Sequence, residues 1–300
     1  MKVLFFGNHT VGVKVLEAIQ ETEEVVGVIA HPADSEDGVR YASVYDYAVK
    51  NGRKVIRSKA SDPLVLSFVL DCMPDLIVIA DYRYLLPESI LALAKLGAVN
   101  FHPSILPKYR GRAPINWAIL KGEKELGLTV HFVDRGVDTG DIIAQEQLVL
   151  SEAQDVGDAL EMLYPIYSSL ARAVLQYFRQ GNVPRHPQNL GHYNTYPARK
   201  PEDGLVDWNQ PATSVLNLIR AVAFPYPGAF TTLAGKKIII WHARRVDSCR
   251  PLITRGVPGQ IITIELGELM IQCVDYILAL DKVEYDNNNI RVVAGMVLGS

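Results

Sequence analysis

The sequence predicts an α/β protein: a mostly parallel sheet with helices between its strands, followed by a smaller, β-rich domain. Three observations carry this. Short, almost wholly apolar runs alternate with helix-length amphipathic segments through the first half, the pattern of right-handed βαβ units. A stretch dense in Pro, Gly and Asn, residues 181–207, breaks that pattern and reads as a linker over the surface. After one short helix, the remainder reads as short strands separated by turns.

Taken in order, KVLFFG (2–7) is an apolar strand, followed by a helix from Val11 to Gln20. EVVGVIA (24–30) is a second strand, and YASVYDYAVKNG (41–52) is helical and stops on glycine. KVIRS (54–58) is a short strand and PLVLSFVLDCM (63–73) a helix. DLIVIAD (75–81) is apolar throughout, as a strand covered on both faces should be. PESILALAKLG (87–97) opens on Pro and closes on Gly, the usual asymmetry of a helix. Then come AVNFHP (98–103), a helix over Pro114–Lys121, LGLTVHFVD (126–134) and DIIAQEQLVL (141–150). The last two follow each other closely enough to form an antiparallel extension. A long helix fits Gln154–Phe178, and a short one Ser214–Val222. AFTTL, KKIIIWHARRV, GQIITIE, LMIQC and YILALDKVEY then suggest a small β-barrel. The expected organisation is a catalytic domain over 1–181, a linker over 182–207 and a barrel over 208–300.

Composition narrows the function. With 49% hydrophobic residues, 21% charged and a net charge of −3 over 300 residues, the chain is ordinary globular material with room for two domains. A pI near 6.2 gives no basic footprint for nucleic acid. Cys72, Cys249 and Cys273 are odd in number and widely spaced, so neither a disulfide framework nor a cysteine zinc site is expected, in keeping with a reducing cytoplasm. No apolar run approaches the roughly 18 residues of a membrane span, and the first ten residues read as a strand rather than a signal peptide.

In an open α/β sheet, ligands bind beyond the carboxyl ends of the strands. GNHTVG (7–12), DYRYLLP (81–87), NFHPS (100–104) and DRGVDTGD (134–141) should converge there. GNHTVG lacks the GxGxxG spacing and reads as a plain strand-to-helix turn, which discards a nicotinamide cofactor. Asn100 and His102 are two apart on a strand, so both side chains face one side. A lone histidine would be read as structural. The Asn partner, the strand-end position and Pro103 favour chemistry instead. Imidazole exchanges protons near neutral pH, and an amide can donate to a developing oxyanion; together they suit transfer of a carbonyl group. Asp134, Asp138 and Asp141 are candidate acids to fix the histidine, with Gly136 and Gly140 bracketing Asp138.

NFHPSILPKYRGRAPINWAI followed by GVDTGDIIAQ resembles the composite signature of the 10-formyltetrahydrofolate-dependent formyltransferases, and the likeness extends over nearly the whole chain. The resemblance implies a Rossmann-like catalytic domain, a linker and a C-terminal, OB-like barrel. It also implies a catalytic trio of Asn100, His102 and Asp138. Asn100 and a protonated His102 would stabilise the oxyanion formed when an acceptor amine attacks the formyl carbon. Asp138 would orient His102 and assist proton transfer. The folate would lie against Tyr84, Leu85 and Leu86, against the loop of Asp134, Arg135, Gly136, Val137 and Asp138, and near Arg112; Leu85 and Leu86 can serve core packing as well. No metal is required.

Within that family the chain is most similar to the formyltransferase portion of the enzyme that modifies UDP-4-amino-4-deoxy-L-arabinose. It shares KYRGRAP, the Tyr82–Arg83 pair and RAVAFPYPGAF (220–230). The decarboxylase half of that bifunctional enzyme has no counterpart here. The implied acceptor is a nucleotide-linked amino sugar for lipopolysaccharide, O-antigen or antibiotic synthesis. Arg220 would meet a nucleotide phosphate, and Phe224 or Tyr226 would stack on a base; interdomain packing is an equal alternative for this turn. The basic residues at 108, 110, 244, 245 and 250 are equally well read as solvated surface. The tRNA-formylating members tend to carry a basic insertion after the second strand. Here HPADSEDGVR (31–40) has three acidic residues against one arginine, which would repel phosphates. A methionyl-tRNA formyltransferase is the alternative, and a non-catalytic folate- or nucleotide-binding module a third reading. A homodimer is left open.

Overall fold

The computed structural model describes residues 1–33, 35, 40–189, 191, 194–246, 256–285 and 292–299. The acidic Asp34, Glu36 and Asp37, together with Cys249 and Arg250, lie outside the described residues. The chain forms two compact units. The first comprises Met1–Pro114, Glu125–Leu148 and Leu160–Pro197; the second comprises Ile115–Lys124, Val149–Ala159 and Ala198–Ser300.

In chain order the elements of the first half are β1 (Lys2–Gly7), α1 (His9–Gln20), β2 (Glu24–Ala30), α2 (Val44–Lys50), β3 (Val55–Arg57), α3 (Pro63–Cys72), β4 (Leu76–Ala80), α4 (Glu88–Leu91) and β5 (Ala98–His102). They are followed by β6 (Arg110–Gly111), α5 (Pro114–Leu120), β7 (Glu125–Phe132), β8 (Ile142–Val149), α6 (Val156–Gln180) and β9 (Thr195–Tyr196). A seven-stranded sheet runs in the order β3-β2-β1-β4-β5-β7-β8. β1 to β5 are parallel, and β7 turns antiparallel against β5. The bonds Phe132 N–H to Asp141 O (2.9 Å) and Leu150 N–H to Lys124 O (2.8 Å) make β7 and β8 an antiparallel pair as well. The expected antiparallel extension is therefore present.

Local chemistry sets the boundaries. Asp62 accepts the Leu64 amide to cap α3, with Pro63 at its first position, and the helix stops where Met73 turns left-handed. The Ser43 hydroxyl accepts from the Asp46 amide, so α2 begins at Val44 rather than at Tyr41. The helix expected over 87–97 is cut to the single turn of α4. Leu96 N–H donates to Asp75 O (2.7 Å) and Gly97 O accepts from Ile77 N–H (3.1 Å), so the sheet claims the backbone groups that would have extended it. One face of the sheet buries Leu4, Phe6, Ile29, Ile77 and Ile79 against Phe68 and Val69 of α3. On β4 and β5, Leu76, Val78, Val99 and Phe101 adjoin Ile19 of α1 and Ala171, Val174 and Leu175 of α6.

The second unit holds α7 (Ala212–Ala221), β10 (Ala229–Leu233), β11 (Lys236–Arg245), β12 (Ile261–Glu265), β13 (Glu268–Gln272) and β14 (Ile277–Tyr285). Its five strands form one antiparallel sheet in the order β10-β11-β14-β13-β12. This is the β-rich C-terminal domain that the sequence predicts; among the described residues no ladder joins β10 to β12. Val215 and Ile219 of α7 pack on Ile238, Ile240, Leu278 and Leu280 around the buried Trp208, whose indole N–H donates to Thr231 Oγ1 (3.1 Å). Asn116 of α5 donates to Ala221 O (2.7 Å) at the end of α7.

Candidate active site

Register brings the site together. Ala80 of β4 pairs with Phe101 of β5, and Asn100 pairs with His131 across the antiparallel β5–β7 ladder. Directly opposed residues on one ladder share a face. The end of β5 and the end of β7 thus present Asn100, His102 and His131 together, and the loop after β7 returns Asp138 to them. That loop is tightly specified. Asp134 Oδ1 accepts from the Gly136 amide (2.9 Å) and the Thr139 hydroxyl (2.6 Å). A Cβ on Gly140 would lie 1.9 Å from Phe132 O, so only glycine fits. Gln188 donates to Asp138 O (3.0 Å) and Gly140 O (2.7 Å), and Asp138 itself takes the left-handed φ of 53°.

The Asp138 carboxylate uses both oxygens. Oδ2 accepts from the Gly111 amide (2.8 Å) and lies 3.6 Å from His102 Nδ1. Oδ1 lies 3.4 Å from Asn100 Nδ2 and 3.5 Å from His131 Nε2. Each imidazole is anchored at its far nitrogen by a carbonyl: His102 Nε2 meets Tyr109 O at 2.9 Å and His131 Nδ1 meets Phe132 O at 2.7 Å. A carbonyl only accepts, so both far nitrogens carry hydrogen. Burial alone would raise the Asp138 pKa, but the neighbouring imidazoles and the Gly111 amide hold it well below the usual carboxylate range. Burial lowers the pKa of His102, against the opposing pull of Asp138 and the Tyr109 carbonyl. Burial thus disfavours the charged form of His102, which the resemblance implies for the oxyanion role.

The segments expected to hold the folate are laid side by side: Arg135 on the loop after β7 pairs with Glu88 at 2.6 Å. Tyr84 and Leu86 pack on the apolar cluster under the sheet end, whereas Leu85 is 77% and Val137 37% exposed. Asp134 and Gly136 are exposed and engaged in the turn described above. Arg112 is exposed, and its amide bonds Tyr196 O (2.9 Å).

In the second unit, Arg220 on α7 is buried. Its guanidinium donates to Gln154 O (2.7 Å), Ser151 O (2.9 Å) and Asn217 Oδ1 (3.2 Å). Tyr226 packs partly on the core of that unit, while Phe224 is 60% exposed.

Sequence reasoning missed His131, Gln188, Tyr109 and Gly111. His131 sits in plain view in LGLTVHFVD, but only the β5–β7 register reveals that it opposes Asn100. Gln188 lies in the stretch read as linker, and Tyr109 and Gly111 act through backbone atoms that no side-chain motif reports.

A strand-end Asn and His thus meet an Asp from the loop after β7. The chain belongs to the formyl transferase family: the model described as formyl transferase matches residues 1–163, and that described as formyl transferase, C-terminal domain, matches residues 199–294. Among solved structures, WlaRD, a sugar 3N-formyl transferase in the presence of dTDP and 5-N-formyl-THF, aligns with a TM-score of 0.68 at 18% identity, covering 96% of this chain and 98% of that one. Methionyl-tRNA formyltransferase from Clostridium thermocellum aligns with a TM-score of 0.61 at 17% identity, covering 96% and 100%. A variant of HypX from Aquifex aeolicus aligns with a TM-score of 0.64 at 20% identity over 96% of this chain but 45% of that one, so this chain spans about half the length of HypX. At these identities the likeness is one of fold.

Proposed function

We propose that the protein is an N-formyltransferase that moves the formyl group of 10-formyltetrahydrofolate to the amine of a nucleotide-linked amino sugar. The proposed acceptor is UDP-4-amino-4-deoxy-L-arabinose or another 4-amino sugar, in lipopolysaccharide, O-antigen or related glycan synthesis. The observation that carries the transfer chemistry is the Asp138 carboxylate bridging His102 and Asn100. The acceptor class rests on the RAVAFPYPGAF and KYRGRAP segments and on the absence of a basic stretch in HPADSEDGVR that would grip tRNA.

The folate supplies an activated formyl carbon. In this reading Asn100 donates Nδ2–H to the oxyanion that develops as the acceptor amine adds. The Nε2 hydrogen of His102 is committed to Tyr109 O, so Nδ1 receives the amine proton, and Asp138 stabilises the imidazolium so formed. The carbon–nitrogen bond to the acceptor forms, the bond from the formyl carbon to N10 breaks, and the proton held by His102 passes to N10. Tyr84, Leu85, Leu86, Arg112 and the 134–138 loop are the proposed folate contacts. Exposed apolar side chains on two loops tied by Arg135 and Glu88 suit a flat heterocycle. For the acceptor, the exposure of Phe224 supports stacking on a base.

The test is an acceptor panel with 10-formyltetrahydrofolate read by mass spectrometry: UDP-, dTDP- and GDP-linked amino sugars beside charged initiator tRNA. A formylated sugar nucleotide is the expected product. Formylated Met-tRNA alone would replace this reading with the translational one.

A further inference from the structure

The turns after β1 and β4 carry a second polar constellation, which the transfer chemistry leaves unused. β1 and β4 are neighbours where the strand order reverses, the place at which an open α/β sheet offers a crevice to ligands. His9 and Asp81 stand just past those two strand ends, and both take the left-handed backbone, each with a φ of 55°. Such backbone is unfavourable for side-chain-bearing residues and clusters at ligand sites. His9 Nδ1 lies 2.7 Å from Asp81 Oδ2, and the two side chains are 28% and 44% exposed, so the pair is open to a ligand. The imidazole stacks on Tyr41, with ring centroids 4.0 Å apart and planes at 18°. Tyr164 of α6 bonds the neighbouring Thr10 side chain and lies within electrostatic reach of Asp81. Just past β2, His31 Nε2 accepts the Arg83 amide at 2.9 Å, which ties the chain after Asp81 to the wall of the crevice.

Capping of α1 does not account for this carboxylate: among the described residues, no backbone amide donates to Asp81. An ionised carboxylate only accepts, so His9 Nδ1 carries the hydrogen between them. Among the described residues, Asp81 Oδ1 and His9 Nε2 then have no hydrogen-bond partner. These are two polar atoms on one rigid pair beside an aromatic face. Adjacent hydroxyls on a ring match them: one donates to Oδ1 and its neighbour bonds Nε2, as donor or as acceptor. A carboxylate disfavours a phosphate, so the sugar rather than the diphosphate belongs here. We propose that Asp81 and His9 bind the vicinal hydroxyls of the acceptor's pyranose ring, and so select the sugar that is formylated. This rests on the reading of the acceptor as a nucleotide-linked amino sugar. The placement agrees with the trio. Ala80 pairs with Phe101, so Asp81 and His102 leave adjacent parallel strands at the same level. The charges acting on Asp81 are those of His9, His31 and Arg83, while those on His102 are Asp138 and His131. The two groups therefore act apart, and a ring gripped by its hydroxyls at β4 extends its amine toward β5.

Calorimetric titration of the full chain, loaded with 5-formyltetrahydrofolate, tests this. The titrants are UDP-4-amino-4-deoxy-L-arabinose and dTDP-linked 4-amino-4,6-dideoxyglucose, set against UDP and dTDP, which lack the pyranose. Asp81→Asn removes the charge with a residue that tolerates the left-handed backbone, and His9→Gln removes the imidazole. Each should weaken the bound sugar nucleotide about tenfold or more, and raise acceptor KM in parallel with kcat within about threefold of the parent. UDP, dTDP and the folate should bind as they do to the parent, a result that a damaged fold would not give. A sugar nucleotide bound equally by the parent and both variants overturns the site and leaves the acceptor reading standing. Equal weakening of UDP or dTDP would put the pair on the nucleotide and overturn it as well. A parent that binds neither sugar nucleotide removes the acceptor reading, and this site with it.

Discussion

The amide of Gly111 donates to Asp138 Oδ2 at 2.8 Å, so a carboxylate from one loop is fixed by the backbone of another. Gly111 has a φ of 98°, and a Cβ there would lie 2.3 Å from Tyr196 O. Gly111→Ala must therefore displace the strand pair that holds this amide in place. We expect a loss of about 2–3 kcal/mol in stability and a fall in kcat larger than the rise in KM, read by denaturant unfolding and steady-state kinetics. Unchanged kcat would show that Asp138 does not depend on this bond.

His102→Ala should reduce formyl transfer by about 10²–10⁴-fold with the fold retained, the range for a positioned acid–base group. Asp138→Asn keeps the shape but removes the charge that stabilises an imidazolium at His102, and should lose activity comparably. Circular dichroism and turnover on the same samples separate the two effects. Full turnover in either variant would remove that residue from the mechanism.

His31, 6% exposed, has its pKa lowered to about 3 by burial, and its Nε2 accepts the Arg83 amide (2.9 Å). Between that value and the unfolded value near 6.5, the unfolded chain binds a proton that the native state does not, so stability falls as pH drops through this window. Lowering pH from 7 to 5 should cost about 2 kcal/mol through this group. His31→Gln, which can still accept the amide, should flatten that dependence in urea titrations at the two pH values. An unchanged slope would refute the assignment.

Arg220→Met tests whether this arginine serves the fold or an acceptor phosphate. Its donors end on two backbone carbonyls and Asn217, and leaving them without partners should cost about 3 kcal/mol. The expected outcome is a lower thermal midpoint with acceptor KM nearly unchanged at a permissive temperature. A large rise in KM without loss of stability would restore the phosphate role.

Much of this molecule is legible in its sequence because its signals are local. The apolar run of β4, the Pro63 and Asp62 start of α3 and the β-rich second half all follow from short-range pattern. Asn100 and His102 are legible because two residues on one strand share a face, and Asp138 because its flanking glycines announce a turn. His131 is not, since its role depends on pairing β7 against β5, a relationship made across the sheet. The length of α4 was equally hidden: hydrogen bonds to Asp75 and Ile77, distant in sequence, end the helix early. The burial that disfavours a charge on His102 is likewise stated by no motif.

The second unit is assembled from three separated stretches, Ile115–Lys124, Val149–Ala159 and Ala198–Ser300. On the ribosome, the segment bearing Asn116 emerges long before Ala221 of α7, whose carbonyl its side chain bonds. The nascent chain must therefore hold the early stretches of this unit without their partners until most of the chain is made. A gene cut at the linker would yield an N-terminal fragment carrying two stretches parted from the rest of their unit.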